Sequence, residues 1–239
     1  MISRLIIKII NILPSRLKIN IARAFPNWIL TLFLDSILRV RVWRLGRLSL
    51  RGQKTGYWEF FDVAPGEDVL DVGAGVGKFT LFAAGKAGKI VAIEPHPLNL
   101  VYLYRNIRDL KNVRVVAKAA WHRKDVLKLY VSTSPLAHSL FPSATKSVKY
   151  RSIEVQADTI DNIVRQENNL FTFLKINVEG AEIEVLKGAT EVLGTCRKVI
   201  IEAHHERCGK KTSKWIRRFL KERGFRLRLK GDIIYAWKD

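Results

Sequence analysis

The 239-residue chain is poor in cysteine and has no long hydrophobic run. Its two cysteines, Cys196 and Cys208, give neither a disulfide framework nor a CxxC pair, so a reducing compartment is expected. The uncharged, mostly apolar stretch 24–34 has 11 residues, whereas a membrane span needs about 20 apolar residues. Lys8 interrupts the apolar region that a secretory signal would need. The sequence therefore predicts a cytoplasmic protein with no transmembrane segment or signal peptide.

Glycine and proline are also scarce, at 15 and 7 residues, while hydrophobic residues make up 48% of the chain. This composition excludes a disordered or collagen-like protein. Positive charge is abundant, with 42 Lys and Arg against 22 Asp and Glu. The net charge is +10 over residues 1–56, +1 over 57–196 and +9 over 197–239. Basic ends attract membrane surfaces or nucleic acid, or only keep the protein soluble, and composition leaves these alternatives open.

Residues 1–56 read as a basic, partly amphipathic helical extension, and residues 57–239 as one domain. Polar side chains recur with helical spacing along Met1–Leu13, and Pro14 ends the helix. Such a helix either lies in a membrane interface, as a peripheral contact, or docks on the apolar surface of its own domain.

Strands and helices alternate from Glu67 onward. The predicted strands are 68–72, 89–94, 113–119, 126–131, 153–157, 171–178, 198–203, 225–230 and 232–237, and the predicted helices are 76–84, 97–110, 181–193 and 213–223. This alternation predicts an α/β fold with a mostly parallel sheet covered on both faces. Gly231 alone separates the last two strands. They must form an antiparallel hairpin, since a parallel pair needs a crossover of about a dozen residues.

A glycine-rich turn follows the first predicted strand, with the sequence Asp71-Val-Gly73-Ala74-Gly75-Val-Gly77. Glycines at such a turn let a ligand approach the backbone. Val72 and Phe79 stand where a P-loop needs Gly and Ser or Thr, and Lys78 stands where the dinucleotide motif needs its third Gly. The D-x-G-x-G-x-G form that binds S-adenosylmethionine (SAM) fits in full. SAM is therefore the expected cofactor.

Two further strand ends support a SAM site. Glu94, 23 positions after Asp71, ends the second strand before Pro95, where a carboxylate is placed to accept both ribose hydroxyls. Asp71 is expected to attract the ammonium or sulfonium of SAM. Small residues such as Ala119 leave room for adenine, and Trp121 either stacks on that ring or belongs to the core or rim. The predicted cofactor-binding residues are Asp71, Gly73, Ala74, Gly75, Gly77, Glu94, Pro95, Ala119 and Trp121.

A second motif covers residues 173–182, FLKINVEGAE, and is followed by VLKGA at 185–189. It resembles the signature of the FkbM-type SAM-dependent methyltransferases, which is close to K-I-D-V-E-G-A-E and then V-L-x-G-A. The resemblance extends upstream to Val155–Ile163, with a turn at Asp158–Asp161, and downstream to Val199–His204. It covers roughly residues 57–237. It implies a class I methyltransferase fold, Rossmann-like, with a seven-stranded sheet whose last strand is inserted antiparallel. It also implies methyl transfer to oxygen, commonly a hydroxyl of a sugar, glycan or secondary metabolite.

The predicted catalytic residues are Asn177, Glu179, Glu202 and His204, which follow the fourth and fifth strands at the edge that faces a ligand crevice. His204 is the preferred base, because an unperturbed imidazole has a pKa of about 6.5. Glu179 either holds the acceptor or caps the following helix. Asn177 replaces the Asp of the family wording, and an amide can orient a ligand but cannot take a proton. No metal is expected, because the spacing of the acids singles out no ligand set.

The loop Ser132–Lys149 is long and polar, and it is expected to cover a small-molecule or glycan acceptor. Two other functions stay open. The charge favours an RNA (tRNA) methyltransferase, although the chain has neither an Asn-Pro-Pro-aromatic turn nor an aromatic RNA-reading sheet. Asn177 and the basic N-terminal helix would also suit a non-catalytic, membrane-associated SAM-binding protein. The sequence leaves the acceptor and the oligomeric state open.

Overall fold

A computed structural model describes residues 60, 62–132, 138–142, 151–203, 206–207 and 210–239. The predicted N-terminal extension, residues 1–56, lies outside the described residues, as do His204 and Cys208. The strands in chain order are β1 (Val69–Val72), β2 (Ile90–Ile93), β3 (Val113–Val116), β4 (Ala119–Ala120), β5 (Asp125–Val131), β6 (Arg151–Asp158), β7 (Phe173–Ile176), β8 (Lys198–Glu202), β9 (Glu206–Arg207), β10 (Lys210–Lys211), β11 (Arg226–Lys230) and β12 (Ile233–Trp237).

A seven-stranded sheet with the order β11-β12-β8-β7-β1-β2-β3 forms the centre of the domain. Strands β1, β2, β3, β7 and β8 run parallel, whereas β12 runs antiparallel to both of its neighbours, β8 and β11. Every residue of β1, β2 and β7 is buried, as expected for parallel strands covered on both faces. The predicted parallel sheet and its closing antiparallel hairpin are confirmed.

The helices are α1 (Lys78–Ala84), α2 (Pro97–Asn106), α3 (Ile160–Val164), α4 (Glu182–Lys187), α5 (Thr190–Thr195) and α6 (Thr212–Lys221). Helices α1 and α2 pack on one face of the sheet, against residues such as Ile90 and Ala92, and α3 to α6 pack on the other, against residues such as Val91. No helix in the described part of the chain is long and apolar enough to cross a membrane.

The helix predicted over 181–193 is two helices, α4 and α5, which meet at Gly188. A Cβ on Gly188 would lie 2.0 Å from the carbonyl oxygen of Trp121, so the chain can pass there only without a side chain. The Asp161 carboxylate then accepts hydrogen bonds from the backbone N–H groups of Glu191 and Val192. It satisfies the start of α5 from a distant part of the sequence.

The strand predicted over 113–119 also divides. After β3 the chain leaves the central sheet, and β4 pairs in parallel with β6 in a three-stranded sheet of order β4-β6-β5. The Lys118 Nζ lies 2.8 Å from the Asp158 carboxylate at the point of departure. This second sheet stands beside the carboxyl ends of the parallel strands and walls one side of the site described next.

Candidate active site

A cavity of about 580 Å³ opens at the carboxyl ends of the parallel strands. It lies beside β1 and β7, where the chain order in the sheet reverses: β2 and β3 extend to one side of β1, and β7 and β8 to the other. Ligands of open α/β sheets bind at this reversal. The residues that line the cavity are Val72, Gly73, Ala74, Gly75, Lys78, Phe79, Ile93, Glu94, Pro95, Asn99, Ala119, Ala120, Leu129, His138, Leu140, Lys175, Asn177, Val178, Glu179, Ala181, Glu202 and Ile233.

The glycine turn that follows β1 forms the floor of the cavity. Gly73 has φ +73°, and a Cβ there would lie 1.8 Å from the Asn177 carbonyl oxygen. The residue after β1 and the residue after β7 are therefore in close backbone contact, which only glycine permits at position 73. Gly75 donates its backbone N–H to the Glu94 carboxylate at 2.8 Å. Ala74 lines the cavity, and Gly77, with φ +90°, leads into α1.

Asp71 lies beneath this turn and is fully buried. Its carboxylate accepts hydrogen bonds from Lys175 Nζ at 2.9 Å and Thr80 Oγ1 at 2.6 Å. Lys175 Nζ also donates to the Gly73 carbonyl oxygen at 2.9 Å, and Lys175 rather than Asp71 lines the cavity. The direct contact expected between Asp71 and SAM is therefore replaced by an ion pair that holds the turn.

Lys175 was given no role from the sequence, although a signal for it exists. It is the single charged residue of a strand that is otherwise apolar, Phe-Leu-Lys-Ile. A buried lysine needs a carboxylate partner, and the parallel register places Asp71 directly opposite it. Thr80, in the first turn of α1, was also missed, because only the packing of α1 against β1 brings its hydroxyl to Asp71.

Glu94 ends β2 and is 5% exposed. Its Oε2 accepts the Gly75 N–H, and its Oε1 accepts the His96 N–H at 2.8 Å and the Asn99 amide at 3.3 Å. Burial raises the pKa of this carboxyl, while those hydrogen bonds and the nearby Lys175 oppose the rise. A carboxylate offers about four acceptor positions. The described groups occupy three of them, so a two-hydroxyl grip on ribose would have to displace or share one of these donors.

The residues after β3 divide between the cavity and the core. Ala119 and Ala120 line the cavity, as the adenine prediction requires. Trp121 does not line it: the indole packs with the second sheet and lies 6.1 Å, between ring centroids, from Phe141. The stacking of Trp121 on adenine is thus not supported by its position, and the core alternative fits. Pro95 lines the cavity beside Glu94.

Three of the four predicted catalytic side chains converge on the opposite side of the cavity. Asn177 follows β7 and Glu202 ends β8, and the Asn177 Nδ2 donates to the Glu202 Oε2 at 2.9 Å. Glu179 also lines the cavity. The fourth, His204, lies outside the described residues.

Glu179 has φ +52°, the left-handed region that a side chain rarely adopts. Ser139 Oγ donates to its carbonyl oxygen at 2.5 Å and thereby anchors this conformation. The structure does not show Glu179 as the cap of α4. This helix begins at Glu182 after Ala181, with no side-chain cap hydrogen bond among the described residues. Strained residues concentrate at functional sites, which favours the alternative that Glu179 holds the acceptor.

Part of the predicted covering loop reaches the cavity. His138 and Leu140 line it, and His138 stacks on His96 with ring centroids 3.8 Å apart. The His138 Nδ1 accepts the backbone N–H of Ser132 at 3.1 Å. Burial lowers the pKa of His138 to about 4 and lowers that of His96 well below its usual value, so both rings are neutral at pH 7. Two neutral rings stack without charge repulsion and close this wall.

Two acids that could supply metal ligands, Asp158 and Asp161, have other partners. Asp158 binds Lys118 and Asn162, and Asp161 holds α5. In the part of the chain that the structure describes, no group of three or more His, Cys, Asp or Glu is arranged to hold a metal ion.

Comparison with known proteins places the chain among methyltransferases. A family model described as the methyltransferase FkbM domain matches residues 71–227. The hexuronic acid methyltransferase AglP of Haloferax volcanii is 29% identical over 166 residues, which cover 68% of this chain and 66% of that relative. The chain thus spans slightly less than two thirds of that protein's length. The ribosomal RNA small subunit methyltransferase A of Alkaliphilus metalliredigens is 37% identical over 68 residues, or 28% of this chain and 22% of the relative.

A solved structure shares the fold. The methyltransferase FkbM of Methylobacillus flagellatus KT superposes with a TM-score of 0.53 at 21% identity. The match covers 74% of this chain and 45% of that one. This likeness, together with the strand order, confirms the class I methyltransferase fold that the sequence resemblance implied.

Proposed function

The chain belongs to the FkbM methyltransferase family, and we propose that it transfers the methyl group of SAM to an oxygen atom of a sugar. The observation that carries the proposal is one cavity with two different sides. A glycine turn and a strand-end carboxylate, Glu94, form the first side, and three polar side chains, Asn177, Glu179 and Glu202, form the second. A donor and an acceptor bound on the two sides would meet over the ends of β1 and β7.

The first side suits SAM. Gly73, Ala74 and Gly75 line it with no side chain larger than a methyl group. Glu94 offers an acceptor for a ribose hydroxyl, and Ala119 leaves space for adenine. Lys175 keeps the turn in place through the Gly73 carbonyl. The SAM sulfonium supplies a methyl group that is already activated, so the protein chiefly has to align the reacting atoms. Good alignment is worth about 7–11 kcal/mol.

The second side suits a sugar. Glu179, Glu202 and Asn177 present carboxylate and amide groups, which bind hydroxyls through directed hydrogen bonds. The name of the relative from Haloferax volcanii points to hexuronic acids as the first class of sugar to examine. We therefore propose O-methylation of a hydroxyl on a hexuronic acid or a glycan that contains one.

Binding of the donor can be tested without an acceptor. Calorimetry with SAM should give saturable binding, and Glu94→Gln should weaken the affinity about tenfold or more, because a charged hydrogen bond is worth about 1.5–3 kcal/mol. Glu154→Gln is the matched control, since Glu154 is an exposed glutamate of β6. A wild-type chain that binds no SAM, or Glu94→Gln with unchanged affinity, would contradict the donor site.

Methyl transfer is tested with methyl-labelled SAM and two matched acceptors, p-nitrophenyl glucuronide and p-nitrophenyl glucoside. Label in the glucuronide above the glucoside supports a hexuronic acid acceptor. Label only in bulk tRNA offered in parallel would replace the proposal by RNA methylation. Tight SAM binding without label in these acceptors or in fractionated extract would favour a non-catalytic SAM-binding protein.

A further inference from the structure

We propose that Glu202 takes the proton from the acceptor hydroxyl, and that Asn177 is a positioning residue that aims its carboxylate. The inference rests on the proposed function, because it names the proton acceptor for the same transfer. The observation behind it is the hydrogen bond from Asn177 Nδ2 to Glu202 Oε2, 2.9 Å long, between two side chains that both line the cavity.

Both residues are held by rigid backbone. The Asn177 N–H donates to the Val72 carbonyl oxygen at 3.0 Å, and its own carbonyl oxygen touches Gly73, the residue without a side chain in the glycine turn. Glu202 is the last residue of β8 and pairs with Ile233 of β12. A carboxylate on a strand end, with one oxygen held by a neighbouring amide, keeps one orientation toward the bound substrate.

The identity of residue 177 decides whether a second acid lies beside the Glu202 carboxylate. An amide donates to a carboxylate and adds no charge of its own, so Asn177 brings no second acid to the Glu202 carboxylate. An aspartate at position 177 would bring a second carboxylate to about the same distance. Two carboxylates at such a separation cannot both be ionised easily, and one of them holds its proton to higher pH.

The other charged and titratable groups near Glu202 come from several elements. Lys78, Glu94, His138, Lys175 and Glu179 line the same cavity. The Asp232 side chain, before β12, is exposed. Lys175 is already paired with Asp71. Glu179 and Glu202 are the two acids on the acceptor side of the cavity.

The reaction balances without a further reagent. A lone pair of the hydroxyl oxygen forms the new O–C bond to the methyl carbon, the C–S bond breaks, and its electron pair stays on sulfur as S-adenosylhomocysteine. The hydroxyl proton passes to the Glu202 carboxylate and from there to water. The product is a methyl ether, and one proton is released for each methyl group transferred.

The decisive measurement is the pH–rate profile with the acceptor that wild type methylates. Asn177→Asp should move the acidic limb to higher pH by about one unit and therefore lower kcat about tenfold at pH values below the wild-type limb, with recovery at higher pH. Asn177→Ala should lower kcat and move the limb less than Asn177→Asp does, since it removes one hydrogen bond to the carboxylate and adds no charge. SAM affinity, measured by calorimetry, should stay close to wild type in both variants and shows that they are folded.

Asn169→Asp is the matched control. Asn169 is exposed and donates its amide to the Asp68 carboxylate at 2.8 Å, outside the cavity lining. This variant makes the same chemical change beside an acid, and its profile should match wild type. Glu202→Gln should lower kcat by about 10²- to 10⁴-fold, the range for loss of a general base.

Each of the following results would overturn the inference. One is an unshifted profile for Asn177→Asp, and another is an active Glu202→Gln with an inactive His204→Gln, which assigns the proton to His204. The third is a product that mild alkali hydrolyses, because it would be a methyl ester rather than an ether. If the wild-type chain methylates no sugar, the proposed function falls and this inference falls with it. Sugar methylation together with a fully active Glu202→Gln removes only the inference.

Discussion

The ion pair beneath the glycine turn should be among the most sensitive points of the domain. Lys175→Met removes the ammonium and leaves the Asp71 carboxylate fully buried with only Thr80 as a described partner. Two unit charges 2.9 Å apart attract by about 6 kcal/mol at an effective dielectric constant of about 20. Part of that energy offsets desolvation, and breaking a buried pair on one side typically costs 3–5 kcal/mol. We expect a loss of about 3–5 kcal/mol in the free energy of unfolding.

The assay is urea unfolding of wild type, Lys175→Met, Asp71→Asn and the double variant. The double variant carries no uncompensated charge, and its asparagine can still accept from Thr80, so it should recover a large part of the single loss. Lys128→Met controls for the substitution itself, because Lys128 is exposed on β5 and should change stability by less than about 0.5 kcal/mol. A Lys175→Met loss below about 1 kcal/mol, or strictly additive single losses, would refute the reasoning.

Two further predictions concern the packing and the pH dependence of stability. Gly188→Ala should lower the free energy of unfolding by about 1–3 kcal/mol, because its Cβ would meet the Trp121 carbonyl oxygen at 2.0 Å. Gly194→Ala is the control: a Cβ there meets nothing within 4 Å, so it should be neutral or slightly stabilising. Equal melting temperatures of the two variants would contradict this. The lowered pKa of His138, about 4, and that of His96 mean that the unfolded chain binds protons that the folded chain does not. Stability is therefore full above pH 6.5 and falls toward pH 4, by up to about 3 kcal/mol from His138. His138→Gln should flatten the urea-derived curve over this range, and a curve identical to wild type would remove His138 as the cause.

Local sequence patterns indicated the strands, because short apolar runs bounded by glycine or proline are typical of buried strands. The runs around Leu70, Val91 and Leu174 became β1, β2 and β7 within about two residues of their predicted ends. The closing hairpin followed from the short connection between its strands, which is Gly231 and Asp232 in the structure. The glycine turn and Glu94 could be placed at one sheet edge because the carboxyl ends of parallel strands share that edge.

Tertiary structure alone decided which polar groups meet. Asp71 and Lys175 are 104 positions apart, and only the register of β1 and β7 turned a predicted SAM contact into a structural ion pair. The Trp121 carbonyl oxygen lies against Gly188, where one predicted helix becomes two, and the Trp121 indole lies outside the cavity lining. Sequence patterns indicate which face of a helix or strand is buried, because apolar residues recur along the chain with the period of that element. Side-chain partners depend on how elements that are distant in the chain pack together, and that packing leaves no periodic pattern in the sequence.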